Sequence, residues 1–167
     1  GGPTVAPGVV GQALNFDNVN DYITMGATGL TGDLTATWSA WIKTNSVISN
    51  DLQAITHIGD SGTALNSFSL FLNNGGSGVL SLEYAGGNGC ATAAGTITPG
   101  QWYHVAGTKT AGAINTTSTI YVNGATVTCT GSASTPTVAT GGSQIGNWIN
   151  GTQWFDGSID EVRLYNR

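Results

Sequence analysis

The chain has 167 residues, only 8% of them charged, and its four basic and nine acidic groups give a net charge of −5. Its only cations are Lys43, Lys109, Arg163 and Arg167, too few to form a stripe along a phosphate backbone, which argues against nucleic acid and against docking on anionic lipid. No apolar run approaches the roughly 18–20 residues that cross a bilayer, so membrane insertion by this chain is not expected.

The opening "GGPTVAPGVV", residues 1–10, reads as an extended segment with a mature or trimmed start, ahead of one domain over residues 11–167. "QALNFDN" and "DYITMG" read as short strands around a tight "DNVN" turn. "ATWSAWIKTN" alternates, with Trp38, Ala40 and Ile42 on one face, Thr37, Ser39, Trp41 and Lys43 on the other, and either face open to Trp41. His57 in "AITHIGD" alternates with apolar neighbours, as a core or rim residue does. "SFSLFLNN" and "GVLSLEYAG" flank "NNGGSG", a hairpin signal. "QWYHVAGTKT" leads to "STIYVNGATVTC", where Asn123-Gly124 suits a type I′ turn because both residues need positive φ. Residues 130–142 read as a surface loop with a short edge strand, and "SQIGNW" and "FDGSIDEVRLYN" finish the chain.

About ten to thirteen strands, Gly/Asn/Ser/Thr turns and no helical period predict an all-β, two-sheet antiparallel sandwich. Cys90 and Cys129 lie in no metal-ligating cluster; the composition looks extracellular, so a disulfide is expected over two buried thiols. N-x-[ST] sequons stand at Asn115 and Asn150.

"GQALNFDNVNDYITMG", "TWSAWIKT", "QWYHVAGT", "IYVNG" and "FDGSIDEVRLYNR" resemble, in order, the motifs of laminin-G-like jelly-roll domains of the concanavalin A-like lectin/glucanase superfamily. The match spans residues 11–167 and implies a jelly-roll; it is specific for fold and weak for function, since such domains serve as lectins, glycosidases, adhesion modules and spacers. Asn18 replaces the family's usual Gly, and the segment before "GQAL" is shorter than usual. In this fold the first and last strands commonly lie side by side. The resemblance therefore implies that Asp17 and Asp21 converge with Asp160, placed by alternation on the inward face with Val162 and Leu164, around a structural Ca²⁺. The alternative is plain turn capping, with pairing to Arg163.

No catalytic function is expected. The jelly-roll glucanases carry E-x-D-x-x-E on one strand, whereas the two glutamates here, Glu83 and Glu161, are far apart. His104 reads as scaffold, and G-x-S-x-G and phosphate-loop patterns are absent. A glycan binder stacks sugar rings on aromatic faces; Trp148 and Trp154 in "GNWINGTQWFDG" and Tyr84 before "AGGNG" are the candidates, with Trp38 and Trp102 assigned to the core. The expected function is thus an extracellular, non-catalytic module binding a glycan or other cell-surface ligand. The alternative is an assembling surface subunit that pairs an open sheet edge with a neighbouring chain, residues 1–10 serving as the donor.

Overall fold

The structure is a computed structural model that describes residues 1–49, 51–60, 62–149 and 152–167, so the sequon at Asn150 lies outside the described residues. Its strands are β1 (Thr4–Pro7), β2 (Gln12–Asp17), β3 (Ile23–Thr24), β4 (Ala36–Thr44), β5 (Gln53–Gly59), β6 (Ser67–Leu72) and β7 (Leu80–Tyr84). β8 (Gly87–Thr92), β9 (Tyr103–Lys109), β10 (Ser118–Val122), β11 (Ala125–Val127), β12 (Cys129–Thr130), β13 (Ser143–Ile145) and β14 (Asp156–Tyr165) follow, with one helical turn, α1 (Ile114–Thr117), before β10. The sequon at Asn115 lies on that turn.

Among the described residues the strands form two seven-stranded antiparallel sheets, ordered β1-β2-β14-β4-β9-β10-β11 and β12-β8-β7-β6-β5-β13-β3. This is the expected jelly-roll sandwich. The first and last long strands are neighbours, as anticipated: Leu14 of β2 pairs with Ile159 of β14.

The core lies between the sheets. Trp38 stacks on Phe68 at 4.5 Å between ring centroids, and Phe155 meets Phe16 edge-on at 6.3 Å. Each such side chain withdrawn from water contributes about 1.5–3 kcal/mol. β4 keeps its alternation, with Trp38, Ala40 and Ile42 buried and Trp41 on the outer face. Trp102 is half-buried rather than in the core.

Turn chemistry follows the residues that tolerate positive φ. Asn123 (φ 51°) and Gly124 (φ 80°) make the turn joining β10 to β11, and Asn18 adopts φ 58° where a Gly was the usual residue. Cys90 and Cys129 form a disulfide that fastens β12 to the second sheet. Val138, placed by the sequence on a surface loop, is instead buried and bonded through its backbone to Gly32.

The extended N-terminal segment supplies a strand, since Thr4–Pro7 pairs with Gln12–Asn15 and extends the first sheet. In the second sheet the central strands β5, β6 and β7 are buried on both faces, with Ser69, Ser81, Glu83 and His57 alternating with core residues. In β14 the register against β4 slips between Asp160, opposite Trp41, and Arg163, opposite Ser39. This is a one-residue bulge, with Glu161 at φ 49°. The bulge moves Asp160 to the outer face and Ile159 to the inner one, while Val162 and Leu164 stay inward as expected. Ile159, Val162 and Leu164 pack toward the core, whereas Asp160, Arg163 and Tyr165 share the outer face with Trp41, Ser39 and Thr37.

Candidate functional site

Tyr84, expected as a ligand platform, is buried. At the end of β7 it continues the inward series of Leu80 and Leu82, is 7% exposed, and donates its hydroxyl to Ser134 Oγ at 3.0 Å. It is a core residue with no face free for a ligand.

Trp148 and Trp154 flank the segment between β13 and β14, and the isolated bridge between Asn147 and Trp154 draws the two ends of that segment together. Their side chains separate. Trp148 lies over the outer face of the second sheet, 6.0 Å from the His57 ring and 5.5 Å edge-on to Phe71. It therefore helps to bury a polar row. His57 is fully buried; the tautomer with its proton on Nε2 donates to the Gly59 carbonyl at 3.2 Å, while Nδ1 accepts from Ser69 Oγ at 2.8 Å. Burial pushes this imidazole down to about 4, overcoming the Gly59 contact and Asp60. Glu83, paired with Ser69 in the register, is pushed up to about 7 by burial, against hydrogen bonds from Ser81 and Asn74. The row thus holds an uncharged histidine and a carboxyl whose protonated form burial favours, a packed layer with Trp148 as part of its cover.

Trp154 turns the other way. Its ring lies tilted at 41° to Tyr22, centroids 6.0 Å apart, and Tyr22 is 43% exposed. Tyr22 is the residue missed by the sequence reading, which assigned "DYITMG" only to a strand. Around this pair stand the groups of the first turn and the start of β14. Asp17 faces Asp156 across the β2–β14 ladder, Asn45 Nδ2 donates to Asp156 Oδ1 at 2.9 Å, and Asn20 is exposed two residues before Tyr22. Chain proximity to Asn20 and Asp156 brings carboxylate and amide groups close to this aromatic pair.

The proposed calcium ligands do not converge. Asp17 pairs with Asp156, and Asp160 lies four residues further along β14, about 13 Å at strand rise. Asp17 Oδ1 accepts the N–H groups of Asn20 at 3.2 Å and Val19 at 2.9 Å, which hold its carboxyl below the usual carboxylate range. Asp160 is 6% exposed and points outward, and its Oδ2 accepts both Val9 N–H and Val10 N–H at 2.9 Å. Asp21 is buried beside the first turn. Among the described residues no three His, Cys, Asp or Glu side chains form a metal-ligating group. Asp17, Asp21 and Asp160 therefore do not fit a single calcium; Asp17 and Asp160 cap turns, and Arg163 pairs with Glu161 at 2.6 Å instead. Among the described residues no helix is long and apolar enough to cross a membrane.

A family model described as the concanavalin A-like lectin/glucanases superfamily matches residues 17–167. Among solved structures, domain 4 of AbnA, a GH43 extracellular arabinanase from Geobacillus stearothermophilus, in complex with arabinotriose, is similar at TM-score 0.69 and 24% identity, covering 99% of this chain and 76% of that one. The CBM40 of Ruminococcus gnavus IT-sialidase, bound to α2,3-sialyllactose, matches at TM-score 0.60 and 14% identity, over 87% of this chain and 89% of that one. Mouse laminin α1 domains LG4-5 match at TM-score 0.64 and 15% identity, over 91% of this chain and 40% of that one. No curated protein matches the sequence.

Proposed function

Because this chain belongs to the concanavalin A-like lectin/glucanases superfamily, we propose that it is an extracellular, non-catalytic carbohydrate-binding module that adheres to a glycan through the Trp154–Tyr22 rim. The observation that carries this reading is that pair, an accessible aromatic surface with Asp17, Asn20, Asn45 and Asp156 close to it. Aromatic faces pack against the C–H faces of a sugar, and carboxylates and amides read its hydroxyls. Neighbours of the same fold solved with arabinotriose and sialyllactose support the ligand class, and the disulfide supports an oxidising compartment. The separation of Glu83, buried on one sheet, from Glu161, on the outer face of the other, supports a module that does not hydrolyse glycosides.

Edge-mediated assembly has less support. The N-terminal segment fills an edge of its own sheet, and among the described residues the four outermost strands are only two to four residues long.

Calorimetric titration with arabinotriose, xylotriose, lactose and 3′-sialyllactose tests the rim. Trp154→Ala is expected to weaken saccharide binding at the rim at least tenfold, and Trp148→Phe to leave it within about twofold. Equal affinity in wild type and Trp154→Ala would remove the rim from the account.

A further inference from the structure

The outer face of the first sheet holds a depression of about 330 Å³ that the rim does not include. Cross-strand register builds it. Trp41 stands beside His104 of β9, their rings 5.3 Å apart at 63°. One pair further along, Ser39 faces Ala106 on one side and Arg163 on the other, and the next pair brings Tyr165 opposite Thr37. Small side chains thus floor a hollow between an aromatic wall, Trp41 and His104, and a wall made by Arg163 and Tyr165.

The bulge in β14 makes this hollow. Without its extra residue, Arg163 would fall on the face opposite to Asp160; with it, both point outward. Asp160 is occupied by the N–H groups of Val9 and Val10, so it does not compete for the guanidinium. Arg163 pairs with Glu161 at 2.6 Å, yet 58% of the Arg163 side chain and 33% of the Glu161 side chain remain accessible. A planar donor fork and a carboxylate acceptor therefore lie side by side, next to exposed ring surface.

We propose that this depression is a second saccharide subsite, taking a neutral sugar with a vicinal diol. One hydroxyl accepts from Arg163 and its neighbour donates to Glu161, while the C–H face of the ring packs on Trp41, the Tyr165 ring being covered on one side by the Arg167 guanidinium at 5.4 Å. The balanced Arg163–Glu161 pair favours a neutral ligand over an anionic one. The volume sits at the small end of the range for ligand pockets, which suits one or two sugar rings. From Asp156, at the rim, to Arg163 is about 20 Å along β14, so the two sites are separate and a polysaccharide chain can engage both.

This inference rests on the glycan reading, and the test separates the two. Indole ¹⁵N–¹H signals of Trp41 and Trp154 report on the depression and the rim respectively during titration with arabinotriose, xylotriose, cellotriose and lactose. The expected result is a saturable shift of Trp41 that survives Tyr22→Ala/Trp154→Ala and weakens at least tenfold in Arg163→Leu and in the shape-conserving Glu161→Gln. A shift confined to Trp154 overturns the second subsite and leaves the glycan reading standing. A Trp41 shift indifferent to both variants overturns the diol assignment, and no shift of either signal with any of these sugars overturns both readings.

Discussion

Asp160 shows how a carboxylate that looks like a metal ligand in sequence is used by the backbone instead. Its Oδ2 accepts two adjacent N–H groups from the turn joining β1 to β2. Hydrogen bonds to a charged acceptor contribute about 1.5–3 kcal/mol each before coupling, so Asp160→Ala is expected to lower Tm by about 6 °C or more in a domain of this size. The same loss with excess calcium or with chelator is the expected pattern in a melting experiment; a chelator effect that vanishes in the variant would restore the ion. The buried row on the second sheet has its own pH signature. Glu83 sits at about 7, above its ordinary 4.5, so the stability it contributes is complete at low pH and is lost as pH rises through about 7. His57 sits at about 4, below its ordinary 6.5, so its contribution is complete above about 6.5 and is lost as pH falls through about 4. Between about 4.5 and 6.5 the slopes oppose, each about 1.4 kcal/mol per pH unit, and wild-type stability is expected to be nearly flat. Denaturant titrations across that window should show Glu83→Gln losing stability on acidification and His57→Gln losing it as pH rises. Two variants with the wild-type slope would mean that neither group is held in its unusual protonation state.

At the scale of elements, legibility tracked whether the structural need leaves a chemical trace. Positive φ at residues 18, 123 and 124 is written as Asn, Asn and Gly, and these turns were readable. The bulge at Glu161 also needs positive φ, but Glu gives no such signal, so strict alternation assigned Asp160 to the wrong face. Tyr84 was misread because a Gly-rich run follows it, although its alternation with Leu80 and Leu82 points inward. The Tyr22–Trp154 pair joins residues 132 positions apart, and local pattern carries no information about that contact. β1 was hidden by Pro3 and Pro7, which an edge strand tolerates because its outer N–H groups have no partner to bond. Deleting residues 1–7 is therefore expected to expose β2 as a six-residue edge, lower Tm and promote concentration-dependent association by light scattering; an unchanged monomer of unchanged Tm would show that β1 adds nothing. The Cys90–Cys129 link closes 39 positions and is worth roughly 3–4 kcal/mol in the chain-entropy model, so reduction should lower Tm by about 6–15 °C. A drop under about 2 °C would contradict that role.

On the scale of the whole molecule, the sandwich divides its surfaces unequally. The second sheet buries both faces of its central strands β5, β6 and β7, with Trp148 over their polar row, while the long strands β4 and β14 of the first sheet keep partly accessible residues on their outer face. Aromatic rings reach solvent at Tyr22 beside Trp154 and at Tyr165 beside the Trp41 hollow. This distribution fits a rigid platform that presents short aromatic and polar patches to a saccharide. The measurement that tests the central claim most directly is a glycan array probed with wild type and with Tyr22→Ala/Trp154→Ala, followed by analysis of the bound sugars for cleavage. Wild type is expected to retain a chemically related set of glycans, the double variant to lose at least tenfold of that retention, and no shortened product to form. Failure to retain any glycan, retention unchanged in the double variant, or release of shortened sugars would contradict that claim.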